Sequence, residues 1–208
     1  MSKITWNPGT LLAPVPAVLV TCGSPEKPNL FTVAWTGIVN TIPPMTYISV
    51  RPQRHSYGLI RESGEFALNL TTRSLCRATD FCGVRSGRDT DKFKEMNLHT
   101  APAQKITAPL LAESPLSLEC KVTEVKELGS HHMFLAKIVA LDVEESLLDK
   151  NGKLELSKAD LLAYAHGEYF GLGDKLGTFG YSVRKKPLPG KGRHPKAGPS
   201  SKKRPVKK

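Results

Sequence analysis

The sequence predicts a mainly β protein, an antiparallel barrel or sandwich with one or two short helices. At least six runs of β-forming residues alternate with turns rich in glycine, proline and asparagine. No GxGxxG pattern opens a βαβ unit, so a dinucleotide-binding Rossmann domain is not expected. The 208 residues, 39% of them hydrophobic, suffice for the core of one domain followed by a tail.

The first two strands form a predicted hairpin. After an extended lead-in over 1–15, the apolar run 17–22 is expected to be a strand. A turn with two prolines and a glycine joins it to a second β-type run at 31–35. Gly37 is expected to break that run. The pair Pro43–Pro44 fits a connection, because proline cannot donate a hydrogen bond to a neighbouring strand.

A third strand, predicted over 45–50, leads into a polar cluster of Arg51, Arg54 and Ser56 just before a short helix near 56–62. A serine at a helix start can cap the free N–H groups of the first turn. Those N–H groups and the helix dipole also favour an anion, and guanidinium groups suit phosphate. The alternative is a capped surface helix with two solvated arginines.

In the middle of the chain, the sequence predicts a strand that ends in polar residues, then a helix and then a charged loop. The run FALNL ends in the polar stretch 69–72, and the spacing of 73–81 is helical. The following residues, 82–93, form a predicted loop in which Ser86 and Lys92 could meet an anion. The alternative is a solvated loop whose aspartates balance its cations.

The C-terminal half adds two more strands and a closing segment. A long connection over 100–116 leads to an alternating strand at 117–123, and a turn then opens a long strand over about 133–143. Residues 161–181 carry several glycines and tyrosines and are predicted to pack as loop and short turns. With the earlier strands, these complete the β-rich domain.

The basic charge is concentrated at the C-terminus. Residues 184–208 hold 11 of the 30 Lys and Arg and no Asp or Glu, so the remaining 19 basic residues balance all 19 acidic ones. We therefore predict a domain over 1–183 and a basic, disordered tail over 184–208. Such a tail gives the alternative function of nucleic-acid binding, although it lacks aromatics for base stacking.

The termini and cysteines bear on location and metals. The start of the chain has no signal-peptide pattern and no stretch reaches the length of a membrane span, so we expect a cytoplasmic protein. The four cysteines form no CxxC pair and are expected to be reduced, with no metal site.

Several separated stretches, in order, resemble the flavin reductase-like, FMN-binding split-barrel proteins, and among them the flavoredoxin-type branch. The resemblance covers roughly residues 5–186. It is carried by FTVAWTGIVNT at 31–41, TYISVRP at 46–52, NLTT at 69–72, DFCGVRSGRDTDKF at 80–93, ESPLSLEC at 113–120, GSHHMF at 129–134 and AHGEYFGLGDKLGTFGYSVRKK at 165–186. The family implies a six-stranded antiparallel Greek-key split barrel that forms a homodimer, with FMN in grooves at the subunit interface.

The resemblance also implies which residues meet the cofactor. Residues at the flavin ring would be Trp35, Thr36, Gly37 and Ile38. Those at the phosphate would be Arg51, Arg54 and Ser56. The remaining contacts would come from Asn69, Leu70, Thr71, Ser86 and Lys92, with Cys82 and Gly83 nearby.

His131 is the one catalytic candidate. Many flavin reductases carry a Gly-Asp-His motif whose histidine lies near the nicotinamide, and here the stretch is Gly129–Ser130–His131. Adjacent residues on a strand point to opposite faces, so at most one of His131 and His132 enters a site, and the alternative for His131 is a turn residue in solvent. The predicted function is an FMN-binding oxidoreductase that passes electrons from NAD(P)H or a redox protein to an acceptor.

Overall fold

The computed structural model describes residues 1–184 and confirms the mainly β class. Eleven strands run in chain order: β1 (Val18–Gly23), β2 (Pro28–Val33), β3 (Thr36–Asn40), β4 (Met45–Val50), β5 (Glu65–Asn69), β6 (Thr100–Ala101), β7 (Leu110–Leu111), β8 (Leu116–Glu127), β9 (His132–Val143), β10 (Leu162–Ala165) and β11 (Glu168–Gly171). Three helices accompany them: α1 (His55–Ser63), α2 (Cys76–Val84) and α3 (Lys92–Met96). None of the helices within this part of the chain is long and apolar enough to cross a bilayer.

Seven strands form one antiparallel sheet in the order β2-β1-β5-β8-β9-β4-β3. The first two strands pair as the predicted hairpin, with Val18 opposite Val33. Strand β2 lies at one edge of the sheet, yet it contacts β4, the second strand from the other edge. The sheet is therefore strongly curled, as in a split barrel, and it has one strand more than the predicted six.

The curled sheet encloses the main core, and strand β1 is buried on both faces. Val18, Val20 and Cys22 point into the curl, where they pack in one cluster with Phe66 and Phe134, the largest fully buried side chains. The alternate residue Leu19 packs on the outer face with side chains of α2 and the chain after α3. Because the outer face of β1 and β2 must be covered, α2 is fixed against the hairpin.

The structure corrects the prediction around Gly37. This residue does not end a strand but lies inside β3, opposite Tyr47. A Cβ at position 37 would lie 3.3 Å from Cε1 of Tyr47, so the tyrosine ring covers the glycine closely. The turn at Pro43–Pro44 follows β3 as predicted, and the extra edge strand accounts for the seventh member of the sheet.

Two further predictions of irregular structure were wrong. The closing segment contains the hairpin β10–β11, which turns at His166 and Gly167 with φ angles of 50° and 91°. Cys82 and Gly83, expected in a loop, belong to the last turn of α2. The pattern of contacts within the chain divides it into two units, Met1–Gly173 and Asp174–Lys208. The predicted domain boundary at residue 183 stays a prediction. Residues 185–208, which make up all but the first residue of the predicted basic tail, lie outside the described residues.

Asn69 links the sheet to the connection that crosses it. The side chain is fully buried. Its amide nitrogen donates to the carbonyl of Leu19 at 2.9 Å and to Oγ1 of Thr21 at 3.1 Å. Its oxygen accepts from the backbone N–H of Leu111 at 3.0 Å and from the hydroxyl of Ser117 at 2.7 Å. Since all four bonds are internal, the structure gives Asn69 a structural role. The predicted cofactor contact of Asn69 stays a prediction.

We expect Asn69→Ala to lower the free energy of unfolding by about 3 kcal/mol, because it leaves several buried polar groups without partners. Urea denaturation would measure this loss. Asn7→Ala, which truncates an exposed asparagine, is the matched control and should change stability by less than about 0.5 kcal/mol. A loss below about 1 kcal/mol for Asn69→Ala would contradict the structural role.

Candidate functional site

An open groove of about 360 Å³ lies where the β1–β2 hairpin, the end of β4, helix α2 and the β10–β11 hairpin meet. This volume falls in the range of small-molecule sites, roughly 300–1,000 Å³. Its walls combine aromatic, aliphatic and charged side chains. They are formed by Ala17, Phe31, Thr32, Val33, Ala34, Trp35, Ser49, Val50, Arg51, Arg54, Asp80, Gly83, Val84, His131, Tyr164, Gly167 and Tyr169.

A smaller, more polar cavity of about 150 Å³ adjoins the groove. The two share four residues: Phe31, Thr32, Arg54 and Gly83. The other walls of the small cavity are Gln53, His55, Ser56, Cys82, Arg85, Ser86, Gly87 and Lys92. The cavity therefore lies between the start of α1 and the end of α2, and it extends the groove at one end.

Lys92 is the buried cation of the small cavity. The residue is only 4% exposed. Its ammonium donates to the carbonyl of Cys82 at 3.1 Å and to that of Arg85 at 3.2 Å, at the C-terminus of α2. Burial lowers the pKa of Lys92, with nearby Arg54 adding to the effect. Among residues 1–184 no carboxylate pairs with it, so no opposite charge neutralises Lys92 in this part of the chain.

The N-terminus of α1 forms the opposite wall. The predicted serine cap is wrong: the N-cap residue is Arg54, and no side chain caps the helix. Ser56 lies inside the first turn, 3% exposed, and its hydroxyl accepts from the amide of Asn29 at 2.7 Å. Because the first-turn N–H groups have no side-chain partner, this wall favours an anion.

Gly87 closes the cavity against Asn29. A Cβ at position 87 would lie 1.9 Å from Oδ1 of Asn29 and 3.3 Å from Cδ2 of His55. Asn29 is itself held by Ser56 and is 6% exposed, so it cannot move aside without losing that bond. The loop after α2 therefore approaches α1 this closely only with glycine at this position.

Arg51 and His131 line the groove but not the small cavity. The pKa of His131 is lowered, first by burial and then by Arg51 and Arg54. The neighbouring His132 contacts the hydroxyl of Tyr57 at 2.8 Å through Nδ1. The two histidines thus separate as the strand geometry predicts, and only His131 lies in the groove.

Of the four residues predicted at the ring, Trp35 lines the groove. The hydroxyl of Thr36 donates to the carbonyl of Tyr47 at 2.6 Å. Gly37 packs under the Tyr47 ring. Ile38 is 67% exposed on edge strand β3. The contacts predicted for residues 36–38 stay predictions.

The other predicted residues divide in the same way. Cys82, Gly83 and Ser86 line the small cavity, where the hydroxyl of Ser86 also accepts from the backbone N–H of Arg88. Leu70 packs against the core. Thr71, 3% exposed, donates its hydroxyl to the carbonyl of Ala17. Through that bond Thr71 fixes a residue of the groove wall, although neither Thr71 nor Leu70 lines a cavity.

Sequence reasoning missed three groove residues, one acidic and two aromatic: Asp80, Tyr164 and Tyr169. The hydroxyl of Tyr169 lies 3.4 Å from Oδ1 of Asp80, and the rings of Tyr164 and Tyr169 meet edge to face with centroids 5.4 Å apart. Burial, with the charge of Asp80, raises the pKa of Tyr169 to about 12. Asp80 and Tyr169 are 89 positions apart in the sequence. Because residues 161–181 were predicted as loop and short turns, the β10–β11 hairpin that brings Tyr169 to Asp80 was not expected.

Comparison with known proteins identifies the class. The model of the flavin reductase like domain family matches residues 11–173. Flavoredoxin of Desulfovibrio vulgaris (Miyazaki F) is 30% identical, with a TM-score of 0.81 over 88% of this chain and 100% of that one. Flavoredoxin from Methanosarcina acetivorans is also 30% identical, with a TM-score of 0.79 over the same shares. An uncharacterised protein of Pyrococcus abyssi is 26% identical over 80% of this chain and 95% of its own length.

The chain belongs to the flavin reductase-like family. It is a flavin-binding oxidoreductase with a split-barrel fold close to that of the flavoredoxins. The residues present fit a flavin nucleotide, because an apolar and aromatic groove adjoins a cavity whose buried lysine has no carboxylate partner within residues 1–184.

We expect Gly87→Ala to weaken flavin binding by about tenfold and to destabilise the fold by about 1–3 kcal/mol, because the added methyl group displaces Asn29 or the loop. Fluorescence titration with flavin and thermal melting would measure both effects. Gly58→Ala is the control, since a Cβ there meets nothing within 4 Å, and it should be neutral or stabilise α1 by about 0.5–1 kcal/mol. Equal behaviour of the two variants would contradict the close approach.

Proposed function

We propose that the chain is an FMN-dependent oxidoreductase that binds the FMN phosphate in the small cavity and the flavin ring in the groove. The observation that carries this proposal is Lys92, a buried ammonium without a carboxylate partner among residues 1–184. A phosphate monoester brings the charge that such a site lacks. The flavin supplies the redox chemistry, so the protein needs to bind, orient and shield it.

Each wall of the small cavity has a distinct part in this proposal. Lys92 neutralises the phosphate from the side of α2, and the guanidinium of Arg54 does so from the groove. The first turn of α1 offers backbone N–H groups, while the hydroxyl of Ser56 is kept in place by Asn29. Trp35 and the other apolar groove residues would cover the ring and exclude water from one face.

We also propose that the protein works as a homodimer. Ile38, Val39 and Ile42 are 67%, 48% and 88% exposed on and just after edge strand β3. An apolar patch on an unpaired sheet edge favours association with a second copy. Such an interface would bring residues 36–38 beside the groove of the partner or of the same chain, which is where the family resemblance expects the flavin ring.

The electron donor in this proposal is NAD(P)H or a small redox protein, and His131 would contact the donor in the groove. The cytoplasmic location stays a prediction. The alternative of nucleic-acid binding depends on the basic tail predicted over 184–208, and residues 185–208 lie outside the described residues.

Replacing Lys92 tests the phosphate assignment. We expect Lys92→Met to weaken FMN binding roughly ten- to a hundredfold, since a hydrogen bond to a charged group contributes about 1.5–3 kcal/mol. Riboflavin, which lacks the phosphate, should bind the variant and the wild type equally. Fluorescence titration with both flavins measures these affinities.

Lys94→Met is the matched control, because Lys94 is an exposed lysine on the same short helix. It should keep the wild-type preference for FMN. The phosphate assignment would fail if the wild type bound FMN and riboflavin equally well, or if Lys92→Met weakened the two flavins to the same extent.

Light scattering tests the dimer. The wild type should have twice the chain mass of 22.7 kDa at micromolar concentration. Ile42→Asp places a charge on the proposed interface and should raise the dimer dissociation constant by at least tenfold, because an unpaired charge is costly to bury. A wild-type monomer that retains flavin would contradict both the interface and its link to the site.

A further inference from the structure

We propose that Arg51 and His131 form a second anion-binding subsite in the groove, which binds a negatively charged group of the flavin's reaction partner. The substrates would then be small molecules that carry a carboxylate or a phosphate. The proposal rests on the proposed function, because it takes the small cavity to be filled by the FMN phosphate.

The first argument is the position of the two residues. Both line the groove, and neither lines the small cavity that contains Lys92 and Ser56. We therefore assign Arg51 to the groove and not to the small cavity proposed for the phosphate, which departs from the phosphate contact that the sequence predicted for it. Arg54 alone lines both spaces, so the positive charge continues from the phosphate site into the groove.

The second argument is the balance of charge. A phosphate monoester carries about −1.5 to −2 charges at pH 7, which Lys92 and Arg54 together neutralise. The charge of Arg51 is then left over, and among residues 1–184 it has neither an ion-pair partner nor a side-chain hydrogen bond. By contrast, Arg73, also an exposed arginine, donates to Asp160 at 3.0 Å.

The third argument is the asymmetry of the groove. Among the described residues that line it, Asp80 is the one acidic side chain, and it lies 3.4 Å from the hydroxyl of Tyr169. A carboxylate or phosphate is repelled there and attracted at Arg51 and His131. The acidic and the basic residues of the groove thus come from different elements of the fold, and an anion is favoured beside the basic ones.

His131 makes the subsite sensitive to pH. Its pKa is lowered by burial and by Arg51 and Arg54, so the free site holds a neutral imidazole that can donate one hydrogen bond. A bound anion offsets the two guanidinium charges and favours the protonated ring. Anion affinity should therefore rise as the pH falls, with Asp80, Tyr164 and Tyr169 as the other titratable groups of the groove.

The test uses FMN-loaded protein and unreactive ligands, detected by the change in flavin absorbance. Benzoate and benzamide have the same size and differ in charge, and ADP-ribose presents phosphates without a nicotinamide. We expect the wild type to bind benzoate or ADP-ribose at least about fivefold more tightly than benzamide, a modest ratio because Arg51 is exposed.

The variant Arg51→Gln should lose this preference without a change in benzamide affinity, and Arg51→Lys should restore part of it. The control Arg77→Gln, an exposed arginine on α2 outside both cavities, should keep it. A preference for benzoate identifies carboxylate substrates, and one for ADP-ribose identifies a dinucleotide donor.

Equal binding of benzoate, ADP-ribose and benzamide, no binding of any of the three, or a preference that survives in Arg51→Gln would overturn the proposal. These results differ from a failure of the proposed function. In that case the protein would not discriminate FMN from riboflavin before any of these ligands is added.

Discussion

The site depends on one electrostatic constraint, the burial of the Lys92 ammonium at the end of α2. Taking an ammonium out of water is costly, and carbonyl groups compensate only part of that cost. The carbonyls of Cys82 and Arg85 are at a helix C-terminus, where the helix dipole favours a cation. The opposite wall is the uncapped N-terminus of α1, which favours an anion. A ligand phosphate between these two helix ends would satisfy both.

The fold holds these helix ends in place through buried strands. Strand β1 is buried on both faces, so α1 packs on one side of the hairpin β1–β2 and α2 on the other. Asn69 anchors the next strand to β1 and to the crossing connection. Thr71, just after that strand, donates its hydroxyl to the carbonyl of Ala17, a residue of the groove wall. The internal bonds of Asn69 and Thr71 thus help to determine where the walls of the groove lie.

Much of this arrangement could be predicted from the sequence, and the features that the sequence did not predict were missed for physical reasons. The alternating runs and turn residues predicted an antiparallel barrel or sandwich, and the family resemblance implied the split barrel. The resemblance also named Arg54, Ser56, Ser86 and Lys92, which line one small cavity. It could not tell that Asn69 uses all its bonding capacity inside the protein, because a polar residue at a strand end suits either role. The contact of Asp80 with Tyr169 spans 89 positions and depends on a hairpin that the local sequence did not predict.

Phosphorus NMR of the bound nucleotide tests the central claim most directly. A phosphate monoester in water takes up a proton with a pKa near about 6. If Lys92 and Arg54 hold the FMN phosphate as a dianion, its resonance should stay at the dianion position from pH 8 down to about 5. A bound resonance that shifts with a midpoint near about 6, as in free solution, would show that the phosphate lies in solvent and would contradict the assignment of the small cavity.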